Sequence, residues 1–120
     1  MRRAVFLIGL ALLAGCQTIN GSTGIRFDRD LYGRVYPEKC QTDLGPLRRF
    51  MEARGQLVVK YVPRSEMNTL PNGEKNDASV RFFGRGAPVI RIADDMTELH
   101  TLDSRQHEMV HIHCRPWDHD

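Results

Sequence analysis

D-S-R-Q-H-E-M-V-H-I-H-C-R-P-W-D-H-D, residues 103–120, is the stretch on which the rest of the chain is hung. At its centre His107-Glu108-Met109-Val110-His111 spells H-E-x-x-H. On an α-helix, residues four apart project from one face, one turn above the other. Two imidazoles so placed can grip a single Zn²⁺, and the glutamate after the first lies beside the ion, where it can take a proton from bound water. The neighbouring sequence predicts that helix. Asp103 is a good N-cap, Gln106 completes a capping-box-like pair, and residues 104–113 contain no Gly or Pro. Pro116 disfavours a helical Arg115, so the helix should stop near Cys114. All 5 histidines fall between His100 and His119.

At the other end, Arg2 and Arg3 precede an apolar run, residues 4–14, that is too short to span a bilayer as a stable helix. Leu13-Ala14-Gly15-Cys16 follows and resembles the lipobox of bacterial lipoproteins. The resemblance implies a signal peptide over residues 1–15, cleavage before Cys16, a diacylglyceryl thioether on that cysteine, and acylation (palmitate or a similar chain) of the new N-terminus. More than one acyl chain gives stable anchoring. Gln17 in place of Asp implies sorting to the outer membrane, facing the periplasm. The alternative is an ordinary cleaved signal peptide. Either way the chain is expected in the cell envelope. The full sequence carries 17 basic and 15 acidic residues, and losing Arg2 and Arg3 makes the two equal. Without a basic stripe, nucleic acid is not an expected partner. Residues 16–27, polar and rich in Gly, Ser and Thr, read as a flexible tether, and residues 28–120 as one small domain.

With Cys16 given to lipid, Cys40 and Cys114 remain. An exported compartment oxidises thiols, so the two are expected to pair, tying the start of the domain to the end of the metal helix. The competing reading makes Cys114 a thiolate ligand, since it lies seven residues after His107 and three after His111 on the same helical face.

Between these ends the pattern is α+β: a helix, a short antiparallel sheet, and the C-terminal metal-binding helix. Residues 44–54 read as an amphipathic helix with Leu47, Phe50 and Met51 on one face, Thr42 or Asp43 as cap, Pro46 in the first turn and Gly55 at its end. Residues 56–63 read as a strand ended by Pro63, and residues 64–78 as a loop with turn chemistry at Pro71-Asn72-Gly73. Residues 79–83 and 88–92 flank Gly84-Arg85-Gly86 as a hairpin, with Arg81 and Arg91 suggesting an exposed face or an edge. Asp94, Asp95 and Glu98 read as loop carboxylates, with an outer shell to the metal as the alternative.

This order of elements, with H-E-x-x-H on the last helix, resembles the minimal core of the zincin metallopeptidases. The resemblance implies that His107 and His111 bind zinc, that Glu108 is the general base, and that an edge strand receives the substrate backbone. Residues 88–92 are the nearest candidate for that strand. The family's third ligand does not carry over: the metzincin Gly and His positions hold Cys114 and Trp117, and nine residues are too few for a further helix. The third ligand must fold back from the tail, with His119 first, Asp118 second, and His113 disfavoured because it points about 200° away from His111. The implied function is a lipid-anchored, zinc-dependent hydrolase, a metallopeptidase acting on envelope proteins or peptides. The alternatives are a non-catalytic zinc-binding lipoprotein and an envelope interaction module.

Overall fold

The computed structural model describes residues 24–118. Cys16, the leader and His119 lie outside that range. Five elements carry the fold: helix α1 (Gly45–Ala53), strands β1 (Val58–Val62), β2 (Ala78–Phe83) and β3 (Gly86–Ala93), and helix α2 (Glu98–His113). One-turn 3-10 helices at Glu38–Cys40 and Arg64–Glu66 punctuate the connections. The α+β class expected from the pattern is what is found. No described helix is long and apolar enough to cross a membrane.

The sheet differs from the expected one in two respects. Its order is β1-β3-β2, so the last strand is central, and β1 runs parallel to β3 while β2 pairs antiparallel with it. The hairpin is therefore where the Gly-x-Gly turn put it, but the sheet is mixed. Burial explains the order. Ile90 and Ile92, two apart on one face of β3, are both fully buried, the most apolar register in the sheet. Lys60 of β1 and Ser79 and Arg81 of β2 lie in register with Arg91 and Val89 of β3, on the face away from Ile90 and Ile92. Val59 and Tyr61 of β1 and Ala78 and Val80 of β2 lie in register with Ile90 and Ile92 and share their face.

Helix α2 covers that face. It begins at Glu98, earlier than expected, because Thr97 caps it by accepting from the His100 amide. Asp103 is thus an interior residue and buried, not the cap. Met109 and Val110 pack on Ile90, Ile92, Leu44, Leu57 and Tyr36 to form the core. Gln106 ties the two helices together. Its Oε1 accepts from the Leu44 amide at 3.1 Å and its Nε2 donates to the Thr42 carbonyl at 2.7 Å. A side chain of α2 thereby satisfies the start of α1, whose own N-cap residue offers none. Asp43 contributes as well, accepting from the Gly45 amide. Gly55, at φ +70°, ends α1 in the left-handed conformation expected of it.

Cys40 and Cys114 form a disulfide across 74 residues, both sulfurs inside the core. The expected pairing is present. A sulfur held this way has no thiolate to offer a metal, which removes the competing role for Cys114.

Candidate functional site

Helix α2 sets His107 and His111 on one face with their Nε2 atoms 3.2 Å apart. Two nitrogens bound to one tetrahedral Zn²⁺ at about 2.0–2.1 Å sit about 3.3 Å from each other, so the pair has the bite that a shared ion requires. The rings meet edge-on with centroids 4.9 Å apart.

His107 is held from behind. Its Nδ1 lies 3.1 Å from Oδ2 of Asp30, a buried carboxylate. A proton on Nδ1 leaves the Nε2 lone pair facing its partner, the arrangement by which a carboxylate orients a metal-binding imidazole. Asp30 is itself fixed. Its Oδ1 accepts from the amides of Tyr32 and Arg34 at 2.9 and 2.8 Å, and the Arg34 guanidinium reaches Oδ2 at 3.4 Å. A tight turn makes this possible: the Gly33 amide donates to the Asp30 carbonyl, and Gly33 takes φ +89°.

The histidines open onto a cleft of about 780 Å³ between α2, the turn at residues 30–34, strand β2 and the tail after α2. Glu108 lines the same cleft while almost wholly buried, and burial pushes its carboxyl up to about 8, with Arg34 opposing. Asp103, one turn before His107, is raised to about 6 by burial, against the amide of Leu31 that donates to it. Tyr36 packs edge-on to His107 and Trp117, and its buried hydroxyl has no hydrogen-bond partner among the described residues. Trp117 lies over His111, the ring centroids 4.7 Å apart and tilted by 35°.

The expected third ligand is not found among the described residues, where no group of three or more His, Cys, Asp or Glu is placed to hold an ion. His119 is outside them. Asp118 is described, exposed, and not part of such a group, and His113 is exposed at the end of α2. What the described residues fit is therefore two nitrogen donors of one divalent ion, with an oriented tautomer and an adjacent carboxyl. One other expectation changes. Residues 88–92 cannot be an edge that receives substrate, since β3 is central; β2 is the edge bordering the cleft. Asp95, read as a loop carboxylate with an outer-shell role as the alternative, is an exposed acid that pairs with Arg64 through two contacts at 2.8 and 2.9 Å. The acid that backs His107 is Asp30, and the sequence signal for it was Asp30-Leu31-Tyr32-Gly33, a turn pattern ending in Gly.

No family model matches the chain, and neither the curated proteins nor the solved structures give a match. The functional reading stands on the geometry of the cleft.

Proposed function

We propose that this chain is a zinc-dependent hydrolase, a metallopeptidase held to the cell envelope by a lipid on Cys16, with protein or peptide as substrate. The observation that carries the reading is the 3.2 Å approach of the two Nε2 atoms with Asp30 behind one of them and Glu108 in the same cleft. A zinc ion bound there would acidify a water, polarise a carbonyl, and by its charge draw Glu108 back toward its ionised form. Glu108 then serves as the proton acceptor and returns the proton to the leaving amine. Asp30 keeps the tautomer of His107 and offsets the positive charge it shares. The free edge of β2 offers backbone groups to an extended peptide, whose course along the strand would bring it past the histidines. His119 remains the proposed third ligand, and the L-A-G-C leader supports the tether in the outer membrane.

A second reading, a non-catalytic zinc-binding lipoprotein, draws on Trp117 covering His111. A tail that closes over the ion with further ligands would leave no position for water. Glu108→Gln separates the two. A hydrolase variant keeps its zinc and loses cleavage of an unfolded protein substrate by at least about a hundredfold. Cleavage by the variant at the parent's rate contradicts the catalytic reading, and zinc without any cleavage by the parent supports the second.

A further inference from the structure

The cleft contains two arginines, and they are differently employed. Arg34 is spent on Asp30. Arg115, just past the end of α2, stacks its guanidinium 3.8 Å from the ring centroid of Phe82 on the edge strand. It enters no hydrogen bond or ion pair among the described residues, although both Arg115 and Phe82 line the same cleft as His107, Glu108 and His111. The contact holds the guanidinium against the ring face, and its N–H groups, unused by any described residue, can donate to a ligand. A planar fork of donors so held matches a carboxylate in a bidentate way. Among the acids that line the cleft, Asp30 is engaged by Arg34 and backbone amides, Asp77 by Arg64 and the Tyr32 hydroxyl, and Asp103 by the Leu31 amide.

We infer that Arg115, on its Phe82 platform, is a specificity-determining residue that docks a carboxylate of the peptide substrate in the cleft. This rests on the peptide-hydrolase reading. The carboxylate can be a free C-terminus or an acidic side chain, and the chemistry of recognition is the same. Arg115 is exposed, so replacing it leaves the core intact.

The experiment is calorimetric binding to the full oxidised chain carrying Glu108→Gln, which prevents turnover, in the presence of zinc. Three acetylated pentapeptides of alanine, valine and phenylalanine are the probes: one with a free C-terminus, one amidated, and one amidated with glutamate in the last position. The free acid should bind about tenfold or more tighter than the amide, and adding Arg115→Gln should make the two bind alike. Arg115→Lys, which keeps the charge but not the fork, should retain only part of the preference. If the glutamate peptide recovers the affinity, any carboxylate suffices; if it does not, the C-terminus is the group read. Equal binding of acid and amide by the parent, or a preference that survives Arg115→Gln, overturns the assignment and leaves the peptidase reading in place. Binding of none of the peptides removes both.

Discussion

At the scale of single residues, Asp30 and His107 are the pair to examine first. Asparagine at position 30 still accepts the Tyr32 and Arg34 amides through its oxygen, so the turn should persist. It no longer carries the charge that orients and polarises His107. Asp30→Asn is expected to weaken zinc binding about 10–100-fold with little change in unfolding midpoint, as read by competition with a chelating dye. Asp103 gives a pH effect with a definite sign. Its folded-state pKa, about 6, lies above the ordinary value of 3.8, so between these the folded chain binds the extra proton. Its contribution to stability is present below about 3.8 and is lost as pH rises to about 6, with no further change above that. Urea unfolding of the metal-free chain at pH 4 and pH 7 should show this loss, and Asp103→Asn should reduce it. The motif histidines and Glu108 were legible in the sequence because helical spacing alone puts them together. Asp30 was not. It is 77 residues before His107, and only the folding of the turn at residues 30–34 against α2 joins them.

At the scale of elements, the sequence carried the local signals and lost the long-range ones. The hairpin, α1 and α2 follow from turn glycines and periodicity, which act over a few residues. The start of α2 was misplaced because Asp103 looks like a cap from its type, whereas Thr97 is the residue whose side chain accepts the free amide. Strand order was illegible because β1 reaches β3 only after β2 has been laid down, and burial of Ile90 and Ile92 decides which strand is central. The disulfide was legible from the expected compartment and the cysteine count. It closes 74 residues, and chain entropy gives it about 4 kcal/mol. Replacing both Cys40 and Cys114 by alanine should lower unfolding free energy by roughly that amount, less any strain released. Because the bridge pins the end of α2 just after His111, the same variant should also bind zinc more weakly. A double variant as stable as the parent would mean that the bridge constrains little.

At the scale of the whole molecule, the proposal joins an anchored N-terminus to a metal site at the C-terminus. Cys16→Ser should move the chain from the membrane to the soluble envelope fraction without altering zinc binding by the domain. A variant that stays membrane-bound would contradict the lipid anchor and leave the site untouched. Whether His107 and His111 share one metal ion is read from zinc titration of the mature oxidised chain. One zinc per chain, lost in His107→Ala and in His111→Ala, is the expected result. A folded chain that stays metal-free in excess zinc would show that the 3.2 Å contact is a hydrogen bond between two imidazoles and nothing more.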